Sequence, residues 1–521
     1  MKKEIYNINI DTGGTFTDCI AITPNNHFIR KKILSNGSLR GVVTEVFNPY
    51  SFRIEENWDI KENILGNYKF RLLGDTDNVS DIEYYDWKNK TIHLNKKFKF
   101  SANKNRSFEI SSNEEAPIML ARIITNTSLY DKLPPIEMRL GSTRGTNALL
   151  ENKGAELIMF VSRGFRDLLK IGNQQRPDIF SLNINKPQPL SDNIIEVDER
   201  VGSNGEIIEP INFSLLKEKI KKYQKKGITS AGIALLNSHR NNKHELELEV
   251  FLKQCGLQYI SVSTTLGSKI KYLYRMETTL VNAYLSPIIG SYIHNISENL
   301  KKKSLFVMNS AGGLILGSSF YPKDSLLSGP AGGVVGASAI CKQSGFKKFI
   351  SFDMGGTSTD VSRYDENFDY CFELKVGNAH INTPALSIET VAAGGGSICN
   401  YDGYSLGVGP ESAAADPGPA CYGAGGPLCL TDVNLLLGRL DSEQFGIPVF
   451  KSEAKRELDR IITNINKTTN KKNSGDDILS GFIQIANEHM AGAIKKISIA
   501  KGYDPSNYAL VAFGGAGGLH A

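Results

Sequence analysis

The sequence contains one short pattern twice, and this repeat most constrains what the chain can fold into. It reads "IDTGGTFTDCIAI" at residues 10–22 and "FDMGGTSTDVSRY" at residues 352–364. In each copy an apolar run ends in Asp, a Gly-Gly pair follows, and Thr and Asp lead into a second run. Such runs on either side of a glycine turn predict two strands joined by a tight turn. A pair of these hairpins favours a functional interpretation over a coincidence of turn chemistry.

The residue types in each hairpin predict phosphate binding. A glycine pair lets backbone approach a ligand closely, and consecutive amide N–H groups can converge on an anion. The flanking acids would repel a bare phosphate, so they indicate a divalent cation between carboxylate and phosphate oxygens. For one copy alone, an ordinary hairpin with Asx-type turn bonds is the alternative. The candidates are Asp11, Gly13, Gly14, Thr15, Thr17 and Asp18, and then Asp353, Gly355, Gly356, Thr357, Thr359 and Asp360, with Asp11 and Asp353 as the predicted catalytic and metal-binding carboxylates.

A third glycine-rich turn, "FGGAGG" at 513–518, follows a buried strand. Backbone there could lie against a flat ring or a ribose, which makes Gly514, Gly515 and Gly517 candidates for binding adenosine. Two phosphate hairpins and a distal adenosine loop resemble the actin, Hsp70 and sugar-kinase superfamily. This resemblance implies an α/β fold in which two ribonuclease H-like domains close over ATP and Mg²⁺, with another divalent cation or K⁺ as an alternative. The GxxxxGK[ST] pattern and a GxGxxG that opens a helix are absent.

Composition restricts the class of protein. The chain has 521 residues, enough for two or more domains, and a formal net charge of +5. Lys and Arg are dispersed among acids, so neither nucleic-acid nor membrane binding is predicted. Seven cysteines without a CxxC pair fit reduced thiols. No apolar run has the length of a signal or a membrane span, and the sequence therefore predicts a cytoplasmic protein.

Strand and turn signals suggest two domains. Residues 52–115 contain short strands with polar flanks and are interpreted as a small β-rich insertion. We expect an N-terminal domain over 1–205 that includes this insertion and the first hairpin. A second domain over 206–521 would hold the second hairpin and the adenosine loop. A strand and glycine turn stop at Ala521 before the helix that should follow, so the second domain is expected to be incomplete at its C-terminus.

Longer motifs add a more specific resemblance. They are, in order, "DTGGTFTD", "GSTRGTNALL", "SRGFRDLLKIGNQQRP", "LSGPAGGVVGA", "FDMGGTSTDVSRY", "IETVAAGGGSI", "VGPESAAADPGPACYGAGGPLCLTDVNLLLGRL" and "FGGAGGLHA". Outside 52–115, the chain resembles the hydantoinase/5-oxoprolinase family, specifically its A-type, ATP-using subunit or half, and most of all the 5-oxoprolinase branch. The resemblance implies ATP-dependent ring opening of a cyclic amide such as 5-oxoproline or hydantoin, by phosphorylation of the amide oxygen. It also implies a B-type hydrolytic partner and an oligomer.

Two positions depart from the family pattern. Many relatives have His-Thr where this chain has Glu389-Thr390, so metal or substrate roles given to that His do not transfer. Ala414 stands where family members usually have Gly, which could narrow a loop slightly.

Candidates for binding substrate are spread over several glycine-rich turns. "GSTRGTNAL" opens a helix after a strand, where N–H groups and Arg favour anions, although a capped helix start is the alternative. "NSAGG" and "AAGGGS" are further candidates, and Arg176 could bind a substrate carboxylate or form a structural ion pair. The predicted substrate residues are Thr143, Arg144, Thr146, Asn147, Asn309, Gly395, Gly396 and Ser397.

Two other functions stay open at this point. One is an ATP-dependent ketone carboxylase subunit, against which Glu389 and the oxoprolinase-like "GGAGG" argue mildly. The other is a module of the actin or Hsp70 kind that cycles nucleotide without small-molecule chemistry. The long motifs in the second half exceed what nucleotide binding alone needs.

Overall fold

We analysed a computed structural model of the chain. It describes residues 5–60, 62–75, 78–100, 107–174, 180, 182–184, 186, 188–301, 304–377, 379–414, 416–443, 445, 447–469 and 473–521. Arg176 lies outside these residues. Helices and strands alternate along much of the chain, which gives a mixed α/β fold.

The strands of the first half carry the first repeat and the region predicted to be β-rich. In chain order they are β1 Tyr6–Thr12, β2 Phe16–Ile22, β3 Phe28–Leu34, β4 Ser38–Asn48, β5 Ser51–Glu55, β6 Lys69–Leu72, β7 Val79–Asp86, β8 Thr91–Leu94, β9 Ser107–Ser111, β10 Ile136–Ser142, β11 Leu157–Ser162, β12 Ile194–Val197, β13 Arg200–Val201, β14 Ile207–Glu209, β15 Ser230–Ala234 and β16 Tyr259–Val262.

The strands of the second half carry the second repeat. They are β17 Leu305–Met308, β18 Leu314–Leu316, β19 Lys348–Met354, β20 Thr359–Asp365, β21 Asn367–Phe368, β22 Tyr370–Val376, β23 Ala379–Leu386, β24 Ile388–Val391, β25 Ser397–Tyr401, β26 Leu406–Ser412 and β27 Ala509–Phe513.

Helices separate many of these strands. They are α1 Ala116–Thr125, α2 Arg144–Leu150, α3 Leu168–Ile171, α4 Leu216–Gln224, α5 Lys243–Gln254, α6 Ser263–Leu266, α7 Tyr272–Glu298, α8 Ser328–Gln343, α9 Leu430–Leu436, α10 Lys451–Thr469, α11 Gly475–Ile497 and α12 Gly517–His520.

The two repeats form equivalent hairpins in two different sheets. β1 and β2 are antiparallel neighbours in a 12-stranded sheet, and β19 and β20 are antiparallel neighbours in a 5-stranded sheet. Each hairpin also has a parallel neighbour on the side of its first strand, β10 beside β1 and β27 beside β19. The strand–turn–strand structure predicted for each repeat is confirmed, and the parallel neighbours place both hairpins inside their sheets.

Strands β5 to β9 form the far part of the 12-stranded sheet. Their inner faces carry buried aromatic rings such as Phe52, Phe70 and Phe108, which contact one another and join the core beneath the first hairpin. The short strands predicted within 52–115 are therefore present. They continue the sheet that holds the first hairpin.

Two further cores lie under the other sheets. Parallel strands β12, β11, β15 and β16 form a 4-stranded sheet with its own buried cluster of Ile, Leu and Phe side chains. Helix α11 packs on the second hairpin sheet through its buried stripe, which includes Phe482, Ala486 and Met490. The residues of that stripe follow helical spacing. Among the described residues, no helix is long and apolar enough to cross a membrane.

Candidate nucleotide site

The turns of the two hairpins face each other closely. A methyl group placed on Gly14 would lie 3.6 Å from Thr357 Oγ1, and one placed on Gly356 would lie 3.1 Å from Thr15 Oγ1. The second glycine of each turn therefore stands opposite a threonine hydroxyl of the other turn. The fold thus brings together two turns that lie far apart in the sequence.

Asp11 and Asp353 occupy equivalent places at the base of the two turns. In the strand ladders Asp11 pairs with Asp18, and Asp353 pairs with Asp360. The Asp11 side chain is exposed to solvent, although protein atoms surround much of it. Burial, and then the charge of Asp18, raises the pKa of Asp11, while Lys32 opposes the shift. Burial, followed by the charges of Asp360 and Asp11, raises the pKa of Asp353 to about 7. The two cleft acids are therefore close enough to interact.

Helix α8 lies beside both carboxylates, with one glycine next to each. A methyl group on Gly329 would lie 3.3 Å from Asp11 Oδ1, and one on Gly333 would lie 3.4 Å from Asp353 Oδ2. Positions four residues apart share one face of a helix. Gly141, on the neighbouring strand β10, likewise leaves room beside Asp11. These glycines keep side chains out of the space around both acids, and the sequence analysis assigned them no role. The spacing of small residues in "LSGPAGG" is the signal that could have identified Gly329 and Gly333.

The other acid of each hairpin has a partner within its own sheet. Lys32 Nζ donates to Asp18 at 2.9 and 3.0 Å. Thr390 Oγ1 donates to Asp360 Oδ1, while burial raises the pKa of Asp360 to about 6. Asp18 and Asp360 therefore form the outer acids of the two hairpins, and each is held by a residue that the sequence analysis did not assign to the site.

The four predicted threonines divide into two kinds. Thr15 and Thr357 lie at the turns and face the cleft. Thr17 and Thr359 are fully buried. The Thr17 hydroxyl bonds to Ser35 Oγ at 3.0 Å, and the Thr359 hydroxyl bonds to the carbonyl of Ala393. The second pair thus holds the hairpins in place and has little surface to offer a ligand.

The "AAGGGS" segment lies directly against the second hairpin. The N–H of Gly395 donates to the carbonyl of Gly355 at 2.9 Å, and that of Gly396 donates to Gly356. Ser397 Oγ accepts from the N–H of Gly394 at 2.8 Å. Two predicted substrate residues, Gly395 and Gly396, therefore support the turn of the second hairpin through their backbone, whereas Ser397 bonds within its own segment through its side chain. Thr431 in turn donates to the Gly395 carbonyl from both its N–H and its hydroxyl.

The predicted adenosine loop also reaches this site. Gly514 has φ +82°, and a methyl group there would lie 2.3 Å from Asp353 Oδ1, so only glycine fits. Gly515 borders open space, whereas Gly517 is buried at the start of α12. The N–H of Ala516 donates to the carbonyl of Met354 at 2.9 Å, which joins the loop to the second hairpin.

Helix α2 begins beside the first hairpin. Asn147 Nδ2 lies 3.2 Å from a methyl position on Gly14, and the Thr143 N–H donates to the carbonyl of Thr12 at 2.9 Å. Two other candidates have structural partners. The Arg144 guanidinium bonds to Glu115 at 2.9 Å and stacks on Tyr292, and Thr146 Oγ1 accepts from the N–H of Leu327. A substrate at Arg144 would have to compete with Glu115.

Other predicted positions lie in structural contacts. Asn309 Oδ1 accepts from the N–H groups of Ala311 and Gly313, which closes the turn between β17 and β18. Glu389 accepts from Lys496 at 2.7 Å, so its carboxylate is directed to α11. Ala414 has φ +50°, the backbone conformation in which glycine is most favourable. Cys421 is fully buried.

Within the described ranges, no group of three or more His, Cys, Asp and Glu side chains could hold a metal ion by itself. Mg²⁺ is usually bound through one or two carboxylates together with phosphate oxygens and water. Asp11 and Asp353, with the glycine-lined space beside them, fit that donor set. This donor set differs from a metal site whose ligands all come from the protein.

Comparison with known proteins identifies the family. A family model described as "Hydantoinase/oxoprolinase" matches residues 275–521, and one described as "Hydantoinase/oxoprolinase N-terminal region" matches residues 111–256. The chain belongs to the hydantoinase/oxoprolinase family. The two matched regions include the second hairpin, α2 and α8, while the first hairpin precedes them.

Curated relatives agree with the family assignment. A 5-oxoprolinase from Dictyostelium discoideum is 40% identical over 442 residues, which are 74% of this chain and 35% of that protein. A 5-oxoprolinase from Saccharomyces cerevisiae is 40% identical over 425 residues, covering 74% of this chain and 33% of that protein. The hydantoinase/oxoprolinase chain thus spans about a third of the length of these relatives.

A solved structure supports the fold. The nucleotide-free structure of acetone carboxylase, from work on ATP-dependent acetone carboxylation, matches with a TM-score of 0.73 at 19% identity. The match covers 99% of this chain and 66% of that chain. At this identity the match concerns the fold alone.

Proposed function

We propose that this chain is the ATP-using part of an enzyme that opens a cyclic amide, such as 5-oxoproline or a hydantoin. The observation that carries the proposal is the pair of facing hairpins, each with a glycine turn and a cleft-facing Asp. The identity of about 40% to two 5-oxoprolinases supports the same conclusion. Because the chain spans about a third of those proteins, its substrate and its partner are part of the proposal.

The proposed fold assignment is to the actin, Hsp70 and sugar-kinase superfamily. Each hairpin would belong to one ribonuclease H-like domain, the first within 1–205 and the second within 206–521. The antiparallel hairpin with a parallel strand beside its first strand, found in both sheets, supports this division. The facing turns would then form the floor of a nucleotide cleft.

In the proposed reaction, the amide oxygen of the substrate attacks the γ-phosphorus of ATP. A new P–O bond forms, the bond to the β-phosphate breaks, and ADP leaves with that electron pair. The product is an O-phosphorylated imidate, whose carbon is open to water because phosphate is a good leaving group. The attacking carbonyl oxygen carries no proton, so the attack needs no base at that oxygen. The amide N–H releases its proton to water as the C=N bond of the imidate forms.

The chain's own residues would position and neutralise the phosphates. Backbone N–H groups of Gly13 to Thr15 and of Gly355 to Thr357 would bind phosphate oxygens, with hydroxyls from Thr15 and Thr357. Asp11 and Asp353 would hold Mg²⁺, which supplies charge neutralisation for the β- and γ-phosphates when bound. Gly514 to Gly517 would lie against the adenosine. Most of the rate enhancement would come from positioning and electrostatics.

The proposal also includes a partner, an oligomer and a cellular compartment. A B-type partner, separate or fused, would complete the hydrolysis, and the complex would be an oligomer. All seven cysteines are free thiols, which supports a reducing compartment such as the cytoplasm.

The test is product formation by the chain together with its B-type partner. Incubation with 5-oxoproline, hydantoin, or acetone plus bicarbonate, followed by assay of ADP, AMP and phosphate, assigns the reaction. ADP and phosphate formed only with a cyclic amide would support the proposal. Turnover that requires acetone and bicarbonate would indicate a ketone carboxylase. Nucleotide turnover with no dependence on any of these substrates would indicate a nucleotide-cycling module.

A further inference from the structure

A cavity lies beside strand β3 and the start of β4, next to Phe16 of the first hairpin. Its volume is about 320 Å³, within the range of sites for small molecules. Strand β3, the start of β4, residues 57–59 and Ile447 border it. We propose that this cavity binds a small organic anion with a flat apolar body, at a site separate from the nucleotide cleft.

The charge of the lining indicates an anion. Four cationic residues line the cavity, namely Arg30, Lys31, Lys32 and Arg40, with Arg30 and Lys32 on one face of β3 and Lys31 on the other. Asp59 is the one carboxylate among the described lining residues, and it lies 3.8 Å from Lys31 Nζ. A cleft whose wall carries charge of one sign concentrates ligands of the opposite sign.

Three of the four cations already have a partner, and the fourth does not. Arg40 pairs with Glu109, and Lys32 pairs with Asp18. Lys31 Nζ donates to the carbonyls of Trp58 and Asp59. For Arg30, no hydrogen bond or ion pair is present in the part of the chain that the structure describes. Its guanidinium can therefore bind a carboxylate or a phosphate through two parallel hydrogen bonds without breaking a native contact.

The apolar side of the cavity has a rigid ring. The Trp58 indole N–H donates to the carbonyl of Arg40 at 2.7 Å, and its ring packs edge-on against Phe108. Phe16 and Ile447 complete this surface. Because Trp58 is held on two sides, little conformational entropy is lost when a flat ligand packs on it. Cationic residues beside an aromatic ring suit a ligand that has a flat ring and an acidic group.

Both halves of the chain contribute to the cavity. Ile447 comes from the segment before α10, whereas the cations belong to β3 and β4. Asn57 Nδ2 donates to the carbonyl of Phe445 at 3.5 Å at the same junction. Lys32 is shared with the nucleotide cleft through its bond to Asp18. An anion bound here would therefore contact both halves and share one cation with the first hairpin.

Trp58 gives a local signal for the test. The chain contains two tryptophans, so Trp87→Phe leaves Trp58 as the single emitter. This variant is titrated with phenyl phosphate, with phthalate and with the neutral benzyl alcohol. We expect saturable changes in Trp58 emission with both anions, and binding of benzyl alcohol at least tenfold weaker. Equal binding of the neutral compound, or no saturable change with either anion, would overturn the proposal.

Further variants in the Trp87→Phe background locate the binding. Arg30→Gln should weaken anion binding about tenfold, as expected for the loss of charged hydrogen bonds. Arg53→Gln removes an exposed cation on neighbouring β5 that pairs with Glu45, and it should change nothing. Ile447→Phe should weaken binding by filling the cavity without changing its charge or adding a tryptophan. Asp353→Asn should leave the anion affinity unchanged, whereas tighter binding in this variant, which lacks one cleft acid, would place the anion in the nucleotide cleft. Circular dichroism checks the fold of each variant, and unchanged affinity in both Arg30→Gln and Ile447→Phe would disprove the site.

Discussion

Gly329 and Gly333 lie one helical turn apart on α8, and each faces one of the two cleft carboxylates. Asp11 Oδ1 lies 3.3 Å from a methyl position on Gly329, and Asp353 Oδ2 lies 3.4 Å from one on Gly333. One helix thus sets the free space beside acids that come from two different sheets. A small shift of α8 would change the surroundings of both acids together.

The first prediction concerns these glycines. Gly329→Ala should weaken Mg-ATP binding at least tenfold, because a methyl group would occupy space beside the Asp11 carboxylate. Gly333→Ala should do the same beside Asp353, and its methyl group would also press on the Phe513 ring, 2.7 Å away. Alanine is the better helix former by about 0.5–1 kcal/mol, so the loss should not come from unfolding of α8. Calorimetry with Mg-ATP measures the effect. Gly336→Ala, on the same helix with no atom within 4 Å of the new methyl group, is the matched control. Equal losses in all three variants would argue against a local effect.

Replacing each cleft acid should separate metal-dependent from metal-independent binding. Asp11→Asn and Asp353→Asn should each reduce Mg-ATP affinity at least tenfold. In EDTA, however, ATP affinity should stay equal or rise, because a negative charge beside the phosphates has been removed. Titrations with and without Mg²⁺ give both numbers. If one variant binds Mg-ATP like the wild type, that hairpin does not hold the metal.

The raised pKa of Asp353 predicts how stability depends on pH in the absence of ligand. The folded protein keeps a proton on Asp353 up to about pH 7, whereas the unfolded chain releases it near the ordinary value of 3.8. The folded state thus binds more protons between these values, and its free energy of unfolding should fall as pH rises from about 4 to 7. Asp353→Asn should flatten this slope and add about 1–2 kcal/mol at pH 8, a value reduced for solvent screening. Urea unfolding at several pH values tests this. An unchanged slope in the variant would contradict it.

The buried and turn threonines should respond differently to substitution. Thr359→Val should destabilise the fold by about 1–2 kcal/mol, since the Ala393 carbonyl loses its donor, with little change in nucleotide affinity. Thr357→Ala should have the opposite profile, with weaker ATP binding and nearly unchanged stability. Thermal unfolding and calorimetry on both variants provide the comparison. A loss of ATP affinity in Thr359→Val at intact stability would place that hydroxyl in the site.

The adenosine loop offers a test at Gly515. Because no atom lies within 4 Å of its methyl position, Gly515→Val should fold normally. If the loop binds adenosine, this variant should lose affinity for ATP about tenfold and keep its affinity for pyrophosphate. Gly514→Ala is the contrasting variant. Its backbone conformation alone should cost about 1–2 kcal/mol, and its methyl group would collide with Asp353. Equal affinity for ATP in Gly515→Val and the wild type would remove the loop from the site.

The sequence by itself determined the local elements and the chemistry of the hairpins. Each turn contains the glycines, hydroxyls and acids within a few residues, and the alternation of apolar residues is local, so both strand–turn–strand units were predictable.

Only the tertiary structure decided which residues meet. Thr17 and Thr359 read as ligands in the sequence, yet both are buried against Ser35 and Ala393, because successive residues of a strand point to opposite faces. The spacing of small residues in α8 is local, but the acids that Gly329 and Gly333 face depend on the packing of α8 against two sheets. The pKa of Asp353 has the same origin, since burial and the neighbouring charges of Asp360 and Asp11 arise only when distant segments come together.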